Sequence, residues 1–484
     1  MDELHSVITE GWDNEYIPDD WKTSIIVPIF KNGDRMDCKN YRGLSLIPIA
    51  AKLFAVILLN RFRNTRYSRT RPNQAGFRPG MGCYDQIFSL RQILEHRFKH
   101  QQETIQIFID FITAFDSVHR DAICEAMRED SVPEKIINLL KAYYAGTKAR
   151  VRVDGDLSDL VLIEEGVRQG CVLSPYLFNF VIDWILRVLD KYKGVAVSPS
   201  FSVTDLDYAD DVDMLAESVA EAQAMINDMA VKELSTGLQI SLPKTKSMQT
   251  EWMDETPVAL NGNQIEDVQS FKYLASMVNP AGESSEEIQS RISSAWSVFL
   301  QLRKYLWKRS ELSLRTKLRV YEAMVLSVLL YGCEKWSLKA AEALSLNIFN
   351  HKCLRYILGI RLSDRISNEE VRRRCGDRPL VSDIVKHRRL RWFGHTMRRP
   401  DDHISKKCLK CLPLPAWKKR AGGQKKTWLA TVKSDLEPIG GFRKYSRRMD
   451  RQWLELVEPA TLEQNLWKET CRHLLGATMS LDAP

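Results

Sequence analysis

The chain has 484 residues, 44% of them hydrophobic, with ten cysteines and a net charge of +8. That length suits about two or three globular domains and excludes a small disulfide scaffold. The longest apolar stretches, such as "FNFVIDWIL" and "AMVLSVLLYG", fall short of the ~20 residues of a membrane span, and no leader with a cleavage site opens the chain, so an intracellular protein with reduced thiols is expected.

In chain order, "TSIIVPIF" reads as a strand and "AAKLFAVILLNRFRN" as a helix. "TIQIFID" follows with Ile105, Ile107 and Ile109 in strict alternation, and "EKIINLLKAYYAG" is helical again. "SPYLFNFVIDWILRVLDKY" predicts a helix with Ser174 as its N-cap and Pro175 at the first position. "FSVTDLDYA" and "VDMLAES" are paired strands flanking two acids. A turn-rich break, "NPAGESSEE" at 279–287, sets the main boundary before a largely helical half. The pattern is α+β.

Charge divides the same way: residues 1–285 carry −11 and residues 286–484 carry +19. The basic half concentrates its charge in "LRKYLWKR", "VRRRC", "KHRRLRWFGHTMRRP", "WKKRAGGQKKTW" and "FRKYSRRMDRQW", most of them beside an aromatic. Such interleaving suits a phosphate backbone with bases stacked next to it. A single charge run is more commonly a solvated helix face, but five in one half point to nucleic acid.

The chemistry is concentrated in the first half. The alternating strand delivers Asp110 at its C-terminal end, and the hairpin "YADDVD" presents Asp210 and Asp211 at its turn. An Asp pair in a hairpin is ordinary turn composition, yet two or three converging carboxylates repel one another unless cations sit between them. An all-oxygen set of this kind suits Mg²⁺ or Mn²⁺, two of which clamp the attacking and leaving oxygens of a phosphoryl transfer. Between the two lies "GVRQG", where Gly166 and Gly170 bracket Gln169 and permit close backbone approach to a bulky ligand.

Taken in order, "VPIFKNGDRMDCKNYRGLSL", "NQAGFRPGMGCYDQIF", "FIDFITAFDSV", "GVRQGCVLSPYLFN", "YADDVDML", "LPKTKSM" and "FKYLASMV" resemble the successive motifs of reverse transcriptases of non-LTR (LINE-like) retrotransposons. "LRVYEAMVLSVLLYGCEKW", "CLRYILGIRLSDRISNEEV", "RRLRWFGHTMRRPDD" and "RAGGQKKTW" resemble the C-terminal tails of the same elements. The resemblance implies a right-hand polymerase fold: an N-terminal extension at 1–20, fingers and palm at 21–278, a helical thumb at 286–340 and a basic nucleic-acid-binding region at 341–484. The implied activity is RNA-directed DNA synthesis from a primer 3′-OH, with an RNA template, a DNA primer or target, dNTPs and two Mg²⁺ or Mn²⁺ ions as partners. The implied location is the nucleus or a cytoplasmic ribonucleoprotein, with no membrane association. The alternative is an inactive or domesticated remnant that binds RNA or DNA.

Carried over position by position, the resemblance implies that Asp110, Asp210, Asp211 and the Phe111 carbonyl hold the metals. Phe115 falls where the family carries an aromatic that blocks a ribose 2′-OH. Gln169 and Gly170 line the nucleotide pocket, Lys31 and Arg42 face the triphosphate, and Lys244 lies near the incoming nucleotide. Asp116 and Asp213 are not needed as ligands. Ala275 stands where relatives commonly have Gly, and Cys83 where Ser or Thr is usual. The apurinic-type endonuclease that precedes many such polymerases is expected to be missing. A zinc site at His395, His403, Cys408 and Cys411 is not expected, because their spacing fits no standard module.

Overall fold

The computed structural model describes residues 2–253, 256–422, 425–437 and 452–475. It divides into two compact units: Met1–Gln86, Thr104–Ala196 and Ser202–Val268 form the first, and Ile87–Glu103, Val197–Phe201 and Gln269–Pro484 the second. The break at 279–287 therefore lies inside the second unit.

The first unit is built on two sheets. After helix α1 (Asp2–Asp13), strands β1 (Thr23–Phe30) and β2 (Tyr41–Leu46) pair antiparallel, with Arg42 opposite Ile29. β1 also pairs in parallel with β4 (Lys148–Val153), which carries the short strands β5 (Asp156–Leu157) and β6 (Val161–Leu162). The second sheet is centred on β3 (Ile105–Ile109), antiparallel both to β10 (Asp211–Ala216) and to β11 (Lys246–Gln249). β9 (Asp205–Tyr208) and β14 (Glu266–Asp267) form its edges. Short strands β7 (Val195–Ser198), β8 (Phe201–Val203), β12 (Ala259–Leu260) and β13 (Asn263–Gln264) complete this part of the chain.

Helices α2 (Ile49–Arg69), α3 (Cys83–Lys99), α4 (Ala114–Ser117), α5 (Arg120–Glu129), α6 (Glu134–Tyr144), α7 (Ser174–Leu186) and α8 (Val219–Glu233) intervene between these strands. The apolar faces of α2, α5, α6, α7 and α8 meet Ile105, Ile107, Ile109, Val212 and Met214 in one continuous core. α7 is buried almost all round, as its near-unbroken apolar sequence demands.

All five residues of β3 are buried: Gln106 and Phe108 on the second face are covered as fully as the isoleucines. One local expectation is corrected. Ser174 is the first residue of α7 rather than its cap; Leu173 takes that place, and the Ser174 hydroxyl donates instead to the Arg168 carbonyl at 2.7 Å. On the same covered face Asp213 is completely buried, and burial pushes its carboxyl well above the usual range. Burial there disfavours its ionised form.

The second unit contains the hairpin of β15 (Phe271–Tyr273) and β16 (Ser276–Val278), followed by helices. These are α9 (Ser285–Gln301), α10 (Leu314–Val320), α11 (Ser327–Leu329), α12 (Ala340–Leu358), α13 (Asn368–Arg374), α14 (Val381–Met397), α15 (Ile404–Leu409), α16 (Trp428–Leu436), α17 (Gln452–Leu462) and α18 (Gln464–Leu475). Phe299 stacks between Trp296 and Trp307 in one core, with ring centroids 5.6 and 5.1 Å away. Phe393, Trp428, Trp453 and Trp467 build another. Trp467 lies so close to α14 that a Cβ on Gly394 would meet its indole at 2.2 Å.

This corrects the reading of the aromatics among the basic clusters. Trp307, Trp428 and Trp453 are core residues, at most 2% exposed, and are not open to a base. "FRKYSRRM" lies outside the described residues.

The departure at Ala275 has a clear physical consequence. Tyr273 pairs with Ser276, so Leu274 and Ala275 form a two-residue turn with φ of +46° and +62°. Such a turn favours glycine at its second position. Ala275 is exposed, so Ala275→Gly relieves roughly 1–2 kcal/mol of left-handed strain against about 0.4–1 kcal/mol of added unfolded-chain entropy. The expected net gain, about 0.5–1 kcal/mol, is read as a rise in denaturation midpoint.

A second prediction concerns pH. Half-buried Glu95 on α3 lines a small cavity and accepts the Trp428 N–H at 2.9 Å. Burial pushes its carboxyl up to about 8, against the opposing pull of that amide, Arg91 and Lys99. The folded state thus holds this proton to higher pH than the unfolded chain. The stability so supplied is complete below 4.5 and is lost as pH rises through about 8. Between about pH 6 and 9 the wild-type midpoint falls more steeply than that of Glu95→Gln, which keeps an acceptor for Trp428 without the charge.

Candidate active site

The site is assembled at the end of the sheet where β3 stops and β10 begins. Val212 is in register with Ile109, so one further step sets Asp110 opposite Asp211 on the same face of the sheet, the closest kind of cross-strand neighbour. Tyr208 pairs with Asp211, leaving Ala209 and Asp210 as the turn. Asp211 is therefore the first residue of a strand rather than part of the turn, as the sequence had suggested. Ala209 has φ of +59°.

Electrostatics follow from this crowding. Partial burial, then the Asp210 and Asp110 charges, push the Asp211 carboxyl up to about 6, although the residue is exposed. Asp210 is raised by burial and by Asp110, and is drawn back by Arg42 and Lys244. The Lys244 ammonium sits 3.0 Å from Asp110 Oδ1; its loop is anchored where the Ser241 N–H donates to the Asp110 carbonyl at 2.8 Å. Lys244 is thus in contact with Asp110.

Next to Asp110, Phe111 forms an antiparallel bridge with Ile240. The flanking bonds use the Asp110 carbonyl and the Ile112 N–H and leave the Phe111 carbonyl outside the ladder. Three carboxylates and a free carbonyl, compensated by one lysine in contact, suit hard divalent cations. Among the described residues no three His, Cys, Asp or Glu side chains converge as a ready-made cage; Asp110 is engaged by Lys244 instead.

Beside the acids opens a cavity of about 500 Å³ lined by Arg42, Phe77, Phe115, Gln169, Gly170, Tyr208, Asp210 and Asp211, among others. Phe115 stacks on Phe178 with centroids 4.3 Å apart, which fixes its ring against the wall. The "GVRQG" turn is laced to the chain around it. Val167 N–H donates to the Phe115 carbonyl at 2.8 Å, Gly166 N–H to Val118 at 2.9 Å, and Ser45 N–H to Gln169 at 2.7 Å. At Gly170, with φ of +109°, a Cβ would stand 3.0 Å from the Ser45 carbonyl, so this turn cannot carry a side chain without displacing β2.

The Gln169 carboxamide donates to both oxygens of Asp116, at 2.8 and 2.9 Å. Asp116 is raised by burial and lowered by Gln169, Lys31 and Arg42; of the two cations, Arg42 lines the cavity.

Several residues missed in the sequence support the site. Phe77, an exposed aromatic with φ of +54°, lines the cavity. Buried Arg71 grips Asp205 with two bonds of 2.8 Å and Asp207 with one of 3.2 Å, securing β9 from below. Only the clustering of polar motifs hinted at them. His403 is the N-cap of α15, and burial holds the Cys408 thiol well above its usual range, which disfavours the thiolate a metal requires.

Comparison with known proteins gives one family assignment. The family model described as "Reverse transcriptase (RNA-dependent DNA polymerase)" matches residues 29–278. The chain is 26% identical over 357 residues to the RNA-directed DNA polymerase from mobile element jockey of Drosophila funebris, covering 71% of this chain and 38% of that protein. It is 26% identical to the probable RNA-directed DNA polymerase from transposon BS of Drosophila melanogaster, covering 67% and 37%. A 149 kDa protein of transposon TX1 from Xenopus laevis is 25% identical, covering 68% and 25%. The chain spans less than two fifths of the length of these relatives. Among solved structures, apo telomerase from Candida tropicalis aligns over 84% of this chain and 72% of its own, at 12% identity and a TM-score of 0.40.

Proposed function

The chain belongs to the reverse transcriptase family, and on that premise we propose that it is an RNA-directed DNA polymerase of the non-LTR retrotransposon kind. In that reaction a primer 3′-OH attacks the α-phosphate of a dNTP opposite an RNA template, and pyrophosphate leaves. The observation that carries this reading is the placement of Asp110, Asp210 and Asp211 on neighbouring backbone positions at one sheet end, beside a cavity lined by Phe115, Gln169, Gly170 and Arg42.

Asp110, Asp210, Asp211 and the Phe111 carbonyl would hold two Mg²⁺ or Mn²⁺ ions. When bound, such ions neutralise the developing charge on the attacking and leaving oxygens. The residues of the chain do the rest. Arg42 and Lys31 meet the triphosphate, where a guanidinium fork matches phosphate oxygens. The Gly170 backbone lets the nucleotide approach closely, while Gln169 is held for it by Asp116. Phe115, backed by Phe178, leaves room for a 2′-hydrogen and none for a 2′-hydroxyl. Lys244 steadies Asp110 and offers its ammonium to the incoming nucleotide.

The +19 charge of residues 286–484 supports a role for the second unit on the RNA template and DNA primer. None of the described helices is long and apolar enough to cross a membrane; a nuclear or cytoplasmic ribonucleoprotein is the setting this activity requires.

One experiment tests the reading and its selectivity together. Wild-type protein extends a DNA primer on an RNA template with Mg²⁺ or Mn²⁺. Asp210→Asn abolishes extension and leaves RNA binding unchanged, and Phe115→Val raises ribonucleotide incorporation about tenfold or more. Equal inactivity of wild type and Asp210→Asn on several templates contradicts the reading.

A further inference from the structure

The motif "NQAGF", residues 73–77, contributes Phe77 to the cavity, but the rest of it grips the hairpin that carries Asp210 and Asp211. Gln74 forms a parallel bridge with Asp207. The Asp207 N–H donates to the Asn73 carbonyl at 3.2 Å, and the Ala75 N–H donates to the Asp207 carbonyl at 2.9 Å. Gln86 reinforces both, its Nε2 donating to Asn73 at 2.5 Å and to Asp207 at 2.8 Å. Asn179 Nδ2 donates to the Gly76 carbonyl at 2.8 Å.

From this rail the completely buried Gln74 side chain reaches the turn itself. Its Oε1 accepts the Ala209 N–H at 2.9 Å and the Gly76 N–H at 2.7 Å, and its Nε2 lies 3.5 Å from the Ala209 carbonyl. Ala209 is the residue at φ of +59°, a conformation an L side chain resists and holds only where the surroundings enforce it. Gly76 completes the enclosure: a Cβ there would lie 2.3 Å from the Ala209 nitrogen. The bond to Ala209 is therefore short, buried and directed at the single strained residue before the two acids.

We propose that Gln74 is a positioning residue for the catalytic hairpin: its carboxamide holds Ala209 left-handed and thereby sets the direction in which Asp210 and Asp211 leave the turn. This rests on the reading that those two carboxylates hold divalent cations for nucleotidyl transfer. A brace that served only the fold would affect stability and nothing else. A positioning residue affects metal affinity beyond its effect on stability, because partners that orient ligands typically change metal affinity by about 10–100-fold.

The test uses the full chain in four forms: wild type, Gln74→Met, Gln74→Met combined with Ala209→Gly, and Ile137→Ala in the α6 core as a stability control. Mn²⁺ binding is titrated by electron paramagnetic resonance, alongside thermal midpoints and steady-state primer extension. Gln74→Met is expected to weaken Mn²⁺ binding and lower kcat about tenfold or more, with KM for dNTP within about twofold. Ile137→Ala loses thermal stability yet binds Mn²⁺ as wild type does. Ala209→Gly restores much of the lost affinity in the Gln74→Met background, since glycine adopts the left-handed conformation unaided.

The inference is overturned if Gln74→Met keeps wild-type Mn²⁺ affinity, if Ile137→Ala loses affinity equally, or if the wild type binds no Mn²⁺. Should the wild type bind Mn²⁺ with the expected differences but extend no primer, the positioning role stands and the polymerase reading falls.

Discussion

Like charge held together at the end of a buried sheet is the constraint on which the first unit turns. β3 is covered on both faces, and its register with β10 leaves Asp110 and Asp211 side by side. Asp210 adds a third carboxylate one residue away. Burial and mutual repulsion drive the Asp211 carboxyl up to about 6, and Lys244 is the cation in direct contact with the set. Such an arrangement is unfavourable in the protein alone and becomes favourable when divalent cations share the oxygens.

The surrounding structure keeps that arrangement from relaxing. Below the hairpin, Arg71 fastens Asp205 and Asp207; at its turn, Gln74 and Gly76 enclose Ala209. Asp213, two residues into β10, is completely buried, and burial pushes its carboxyl well above the usual range. Four acids on neighbouring positions thus play different parts, decided by which face they take and what meets them there. Asp116 is lowered by Gln169, Lys31 and Arg42 against the opposing effect of burial.

Much of this was legible in sequence, for local reasons. Asp110 at the end of an alternating run and the acids between two short strands are set by period-2 patterning and turn chemistry, which act over a few residues. What stayed hidden depends on contacts distant in the chain. The Gln74 bond to Ala209 joins residues 135 apart, and Gln169 meets Asp116 across 53. β3 alternates in composition, yet both faces are covered, because burial is decided by neighbours the strand does not encode. Trp428 and Trp453 sit among basic residues and looked available to bases; packing against Phe393 put them in a core. Polar motifs flagged the right segments without revealing which residue in each makes the decisive contact.

The central claim is that the three carboxylates are mutually destabilising until cations join them, and thermal unfolding of Asp211→Asn beside wild type tests it most directly. In metal-free buffer at neutral pH the substitution removes repulsion from Asp210 and Asp110, so its midpoint lies above that of wild type. On adding Mn²⁺ the wild-type midpoint climbs with concentration, as ligand binding to the folded state requires, while that of Asp211→Asn rises far less. A metal-free midpoint below wild type, together with an undiminished rise in Mn²⁺, would contradict the account.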